Sequence, residues 1–393
     1  MQKATRQFTK QHNIQLVLKT IYQQDSISRA DLARVTGLTR TTVSEIVHTL
    51  IEENLVQEVG RGESLGGKPP VLLSLNKNAR LIMCLDLSQR RFTGALMNLR
   101  GEMVYDVPAG GIPFTGQDAY QRVLEVLDEL KSHSTVPILG IGIGSPGLVD
   151  VDQGVILKAL RLQWSNFPLK SKLEQVYSLP VHIVNAGHIA AIAEYTFGDW
   201  ADVPNLVVLK SGEGVGSGIL LDGKLHFGDR FIAGEIGHIQ VADNHILCEC
   251  GQEGCLETEA GSIVLLRRAS SLAEKDNSWL PVGVTIPQIT MEHIRLAYLA
   301  GNLPITEMVN RSACAIGIAL SYITNILDIR QVVLAGDMVR FGEGFSDTIS
   351  QELNQRFLLN TNSKTKVGLS TLGEHHVLFG ATALVLSREL GLP

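Results

Sequence analysis

One imidazole and three thiols set close together, at His238, Cys248, Cys250 and Cys255, restrict the possible path of this 393-residue chain more than any other feature. The His, Cys-x-Cys, x4-Cys spacing supplies the four ligands of a complete tetrahedral zinc shell. With four protein ligands no position stays open for water, so the expected role of the metal is to hold a loop in shape. Gly251 and Gly254 suit the tight path, because glycine accepts the positive φ angles that other residues resist. Glu235 and Glu257 flank the array without being needed as ligands. Polar groups fixed beside a rigid loop fit recognition of a hydroxyl-rich small molecule. The competing readings are three buried thiols beside a core histidine, or an oxidation-sensitive metal sensor.

The remaining two of five cysteines, Cys84 and Cys314, lie alone in apolar runs and read as core residues. The odd count, and the lack of an apolar leader at the N-terminus, point to a reducing cytoplasm rather than a secreted disulfide framework. No uninterrupted apolar stretch is long enough to span a membrane. His188, His375 and His376 have no partner legible in sequence and read as surface histidines.

An apolar content of 45 % over this length predicts two or three domains. Charge is divided unevenly: residues 1–80 carry a net +4 and the rest −10. A basic N-terminal segment on an acidic body is the part expected to meet a polyanion.

That segment holds three short helical patterns. Ile14, Val17, Leu18 and Ile21 mark one buried face. Ser28 is placed to cap a second helix, with Asp31 in its first turn, Leu32 and Val35 as its buried side, and Gly37 at its end. Thr39 is placed to cap a third, in which Val43, Ile46, Val47, Leu50 and Ile51 form the apolar face and Thr41, Ser44, Glu45 and His48 the opposite one. This is the pattern of a helix-turn-helix, whose second helix enters the DNA major groove N-terminus first. The residues expected to reach DNA are Arg40, Thr41, Thr42, Ser44 and His48. Two strands, Leu55–Val59 and Val71–Leu75, around a Gly-rich tip would add a wing whose Arg61 and Lys68 follow the phosphates, although the same tip also reads as a linker.

Beyond residue 80, β runs alternate with helices. Leu81–Asp86, Phe92–Leu99 and Met103–Tyr105 read as a meander, and Ile138–Gly144 and Val181–Val184 as buried strands. Leu206–Lys210, Val215–Leu221 and Val332–Ala335 form a second set, with an apolar helix over Met308–Leu327. Two similar βα lobes suggest an α/β, actin-like architecture with a ligand cleft between them.

The zinc array, the run Gly144-Ser145-Pro146-Gly147-Leu148-Val149-Asp150 and the leading helix-turn-helix together resemble the ROK family of repressors and sugar kinases, over nearly the whole chain. Members with such an N-terminal domain are repressors of sugar genes, and the first 80 residues look most like the xylose-repressor type. The resemblance implies a two-lobed actin-like (ribonuclease H-like) ROK fold behind a winged helix-turn-helix. The domains would be residues 1–80, a first lobe of 81–200 completed by a C-terminal helix at 377–393, and a second lobe of 201–376 carrying the zinc loop. Family sugar contacts would fall on Gly147, Asn166, Asn185, Glu235, His238 and Glu257, with His238 offering its free ring nitrogen to the sugar. Partners implied are operator DNA, a monosaccharide effector and a second copy of the chain, as a dimer or dimer of dimers.

The sequence departs from the kinases of the family. Ala186 stands where they have the aspartate that takes the sugar proton, and loss of a positioned base costs on the order of a hundred- to ten-thousandfold in rate. The first phosphate loop is Asp86-Leu87-Ser88-Gln89-Arg90, without the glycines that admit a phosphate. The second is Gly212-Glu213-Gly214, with a carboxylate facing the phosphate position, and the adenosine-side motif is reduced to Ala335-Gly336-Asp337. The expectation is a sugar-responsive repressor without kinase activity; the alternative is an ATP-dependent sugar kinase with a regulatory DNA-binding domain.

Overall fold

The computed structural model describes residues 6–63, 69–88, 92–107, 114–201, 203–241, 245–357 and 364–392. The N-terminal part contains α1 (Arg6–Gln23), β1 (Ile27–Ser28), α2 (Arg29–Thr36), α3 (Arg40–Glu52), β2 (Val56–Arg61) and β3 (Val71–Leu75). Both predicted caps are made: Ser28 Oγ accepts from the Asp31 amide at 3.1 Å, and Thr39 Oγ1 from the Thr42 amide at 3.2 Å. Gly37, at φ 70°, turns the chain between α2 and α3. Val43, Ile46, Val47 and Leu50 are buried in α3, each worth about 1.5–3 kcal/mol in transfer from water.

Val35 departs from expectation, being 62 % exposed. In a helix of eight residues the covered side centres on Leu32, Ala33 and Thr36, and 100° per residue carries Val35 past its edge. The strand β1 was not anticipated. Two residues are too few to show alternation, yet Ile27 and Ser28 pair with Leu73 and Leu72 and give the wing a third strand, in the order β1-β3-β2.

The first lobe is built on a five-stranded sheet. In chain order it comprises β4 (Leu81–Asp86), β5 (Thr93–Asn98), β6 (Met103–Val107), α4 (Gly116–Ser132), β7 (Ile138–Ser145), β8 (Leu148–Asp150), β9 (Val155–Ala159), β10 (Trp164–Phe167), α5 (Leu169–Tyr177), β11 (Val181–Asn185) and α6 (Ala186–Phe197). The sheet order is β11-β7-β4-β5-β6, with β7 parallel to both β4 and β11, so Asp86, Ser145 and Asn185 end their strands at one edge. Ligands of open α/β sheets bind at that carboxyl edge. The small sheet β10-β9-β8 is a further element the sequence did not reveal.

The second lobe repeats the plan with β12 (Leu206–Ser211), β13 (Val215–Leu221), β14 (Lys224–Leu225), α7 (Glu257–Ala260), α8 (Ser262–Ala273), α9 (Met291–Leu299), α10 (Leu303–Leu327), β15 (Gln331–Gly336), α11 (Glu343–Asn354) and β16 (Lys366–Leu369). Its sheet order is β14-β13-β12-β15-β16. The helix α10 begins a turn earlier than the apolar pattern indicated, because Asn302 caps it by accepting from the Ile305 amide at 3.2 Å and Pro304 fits the first turn. The last helix, α12 (His376–Val385), returns to pack on α6, β7 and β4 and runs into a π-helical turn, Leu386–Leu390.

One apolar cluster runs from Val17, Leu18 and Ile21 through Leu73 and Leu75 to Ile82, Met97, Val377 and Leu392. The winged helix therefore shares a core with the first lobe and with α12. Arg100 of that lobe also lies 4.5 Å over the Tyr22 ring. No helix among the described residues is long and apolar enough to cross a membrane.

Three single-residue expectations change. Cys84 is fully buried, but Cys314 is only half-buried, on the margin of α10. His188 and His376 are buried instead of exposed: His188 Nε2 meets the Ala233 carbonyl at 2.8 Å, and His376 Nδ1 the Gly373 carbonyl at 3.1 Å. The Ala233 carbonyl comes from a segment 45 residues away, which only folding brings near, whereas the Gly373 carbonyl belongs to the 3-10 turn just before His376. His375 is exposed as expected.

Candidate ligand cleft and metal centre

His238 closes a single 3-10 turn, Ile236–His238, and the three cysteines follow on a loop pinned by isolated bridges at Gln240–Cys255 and Leu247–Glu253. Gly251 and Gly254 take φ of 92° and 71° there, the region their lack of a Cβ opens. The four ligand atoms lie within 4.8 Å of one another. His238 Nδ1 is 3.6 Å from Cys248 Sγ, and Cys250 Sγ is 3.6 Å from Cys255 Sγ. Tetrahedral bonds of about 2.3 Å to sulfur and about 2.0 Å to nitrogen place such atoms roughly 3.5–3.8 Å apart, so the residues fit a metal ion. Burial pushes Cys255 up to about 12 and raises Cys248, so these sulfurs keep their protons unless a cation draws the thiolates out.

The nitrogen of His238 that faces the cysteine sulfurs is Nδ1. Its Nε2 points the other way, 3.8 Å from Glu235 Oε2, into a cavity of about 680 Å³ between the lobes. Asn185 caps α6 there: its Oδ1 accepts from the Gly187 amide at 2.7 Å, while Nδ2 donates to the Gly147 carbonyl at 2.6 Å and to Glu235 Oε1 at 3.2 Å. Gly147, at φ 76°, is required by a close approach as well, since a Cβ would overlap the Lys158 carbonyl. Burial, then the negative Glu257, pushes Glu235 up to about 7. Glu257 begins α7 and is held differently: its Oε2 accepts from the Val215 amide at 2.9 Å.

Of the six expected sugar contacts, Gly147, Asn185, Glu235, His238 and Glu257 thus line one cavity, and Ala186 adds a methyl group beside them. Asn166 does not. Its strand commits Trp164 and Phe167 to an aromatic stack 4.6 Å apart, which leaves Asn166 exposed at φ 48° and away from the lining. Sequence reading missed Arg161, which enters the cavity from the turn before β10. A lone arginine between two leucines carries no pattern by which to find it.

A second cavity, of about 420 Å³, shares Lys210 with the first and is otherwise lined by groups including Gly212, Asp337, Arg340, Glu374 and His376. Arg340 lies 3.6 Å from Asp337 and 3.4 Å from Glu374. Burial, then the positive Lys210, pushes His376 down to about 4.

On the N-terminal part, Arg40, Thr41, Ser44 and His48 are exposed along α3. Thr42 is half-buried and its hydroxyl lies 2.9 Å from that of Thr39, within the cap. His48 Nε2 is 3.2 Å from Glu52. Arg61 is exposed at the end of β2, and Lys68 lies outside the described residues.

The ROK family model matches residues 82–388, and the MarR family model residues 15–58. A xylose repressor of Caldicellulosiruptor bescii is 34 % identical over 98 % of this chain and 98 % of its own. Among solved structures, a ROK family transcriptional regulator described as a homologue of the Escherichia coli MLC protein superposes with a TM-score of 0.83 at 27 % identity, covering 98 % of both chains. A ROK family glucokinase from Streptomyces griseus, solved in complex with glucose and AMPPNP, has a TM-score of 0.69 at 26 % identity, covering 77 % of this chain and 98 % of its own.

Proposed function

From the premise that the chain belongs to the ROK family, we propose that it is a sugar-responsive transcriptional repressor, most similar to those of the xylose class, which binds operator DNA through α3 and a monosaccharide between its lobes. The observation that carries this reading is the joining of an interlobe cavity, into which Asn185, Glu235, His238 and Glu257 converge, to a winged helix through one continuous core.

In this reading Arg40, Thr41 and Ser44 address the major groove from the first turns of α3, with Thr42 holding the cap, His48 further along and Arg61 and Lys68 on the wing. A palindromic operator calls for two copies of the chain, so a homodimer is the functional unit. In the cleft, Glu235 and Glu257 accept from sugar hydroxyls, His238 Nε2 completes the polar wall, and Gly147 lets the ring approach the backbone. A zinc ion at His238, Cys248, Cys250 and Cys255 would fix the loop and the tilt of the His238 ring without exposing a coordination position. Phosphoryl transfer has no base at Ala186, and Arg340 is engaged with Asp337 and Glu374 where a nucleotide's phosphates would need free cations.

The test joins two measurements on the full chain. A thermal-unfolding screen of monosaccharides should give a rise in Tm for D-xylose or a close analogue. Operator binding in gel shift should weaken steeply with salt and change on adding the same sugar. A flat salt response, or sugar-dependent ATP turnover, would overturn the reading.

A further inference from the structure

Arg161 reaches from the turn between β9 and β10 across the mouth of the cleft, and three separate segments of the opposite lobe receive it. Its Nη2 donates to the Glu213 carbonyl at 3.0 Å, and its Nη1 lies 3.6 Å from Glu213 Oε2. Its Nε is 3.4 Å from Glu249 Oε2, and Nη2 is 3.5 Å from Glu257 Oε1. Glu213 sits in the β12–β13 turn, Glu249 lies between two of the metal-binding cysteines, and Glu257 opens α7. These ion pairs join residues 81–200 to residues 201–376. The opposite side of the cleft is held by neutral packing, where Gly187 of α6 lies against the Ser217 backbone and His188 donates to the Ala233 carbonyl.

This asymmetry has an energetic consequence. One guanidinium, about a quarter exposed, faces three carboxylates, two of them no more than 20 % exposed. If the lobes parted, the carboxylates would lose their shared cation and face one another, so the interaction favours the closed form specifically. The planar fork of arginine can address several acceptors at once, which a lysine cannot. Arg161 also fixes Glu257 from the side opposite the Val215 amide, and through Glu249 it is tied to the loop that the metal orders.

Building on the cleft reading above, we propose that Arg161 is a positioning residue: a latch that locks the lobes over a bound monosaccharide and holds Glu257 to its hydroxyls. A ligand's affinity scales with the fraction of protein already in the binding-competent form, so a latch that favours closure raises affinity at a distance. Glu213 gives the means of testing this, because it touches Arg161 yet does not line the cavity.

The experiment uses the full chain with zinc bound, D-xylose and D-glucose as probes, calorimetric titration for affinity and small-angle X-ray scattering for closure. Wild type should bind one of the probes and contract on binding. Arg161→Gln should weaken binding tenfold or more and abolish the contraction, with zinc content unchanged. Glu213→Gln should weaken binding in the same direction, and Arg161→Gln with Glu213→Gln should be no weaker than Arg161→Gln alone. Arg161→Lys should recover part of the affinity. If Arg161→Gln weakens binding while contraction persists and Glu213→Gln binds like wild type, Arg161 is an ordinary sugar contact and the latch is wrong. If wild type binds neither probe, the cleft reading fails before the latch is reached.

Discussion

The two cavities that share Lys210 are organised in opposite ways. In the larger one, Glu235, His238 and Asn185 converge from different lobes, and each is held by groups behind it: the cap of α6 behind Asn185, the cysteine loop behind His238. In the smaller one, Arg340 is turned onto its own neighbours Asp337 and Glu374. A binding site is distinguished by fixed groups with valence left over toward the void, and a cavity whose charges neutralise one another has little to offer a charged ligand.

Removing the metal is the harshest way to break this contrast. Chelation, or Cys255→Ser, should abolish any D-xylose response and lower stability by about 3 kcal/mol, on the order of 4 °C in Tm for a chain of this length. An undiminished sugar response in metal-free protein, read by thermal unfolding, would mean that the larger cavity does not depend on its loop. Glu235→Ala should be nearly as severe for the sugar alone: at least about a hundredfold in affinity, or about 2.7 kcal/mol, with metal content measured on the same sample unchanged.

Acid should strain the molecule at two buried histidines, of which His376 lines the smaller cavity. His188 and His376 are each held near 4, against an ordinary 6.5, chiefly by burial. Between those values the unfolded chain takes up protons that the folded chain refuses, so stability is fully present above pH 6.5 and falls as pH drops toward 4. The loss should be on the order of 3 kcal/mol for each histidine. His188→Gln, which keeps an N–H for the Ala233 carbonyl, should flatten its share of the denaturation profile; a profile as steep as wild type would remove His188 from the account. The smallest expected effect is none: Ala186→Asp should produce no ATP turnover, because the second cavity stays closed to a triphosphate. Turnover in a coupled assay of that variant would show that only the base was missing.

Much of this molecule was legible before folding was considered. The caps at Ser28 and Thr39, the turn at Gly37, the buried face of α3 and the main strands of both lobes are written in residues a few positions apart, where periodicity and hydrogen-bonding side chains act locally. The cysteine loop was legible for the same reason, since chelate spacing is a short-range property. Elements too short for a period escaped notice, as with β1 and the β8–β10 sheet. So did side chains whose surroundings come from distant segments: Asn166 outside the cavity, and His188 and His376 buried.

Sequence by itself determined the family, the helix-turn-helix and the clustering of one histidine with three cysteines, because each rests on spacing along a chain whose local geometry is nearly fixed. Only the tertiary structure decided which polar groups share a cavity, that the winged helix and the first lobe form one core, and that Arg161 meets three acids from three loops. Such contacts join residues far apart in sequence, and packing chooses among many candidate partners that no local pattern can tell apart.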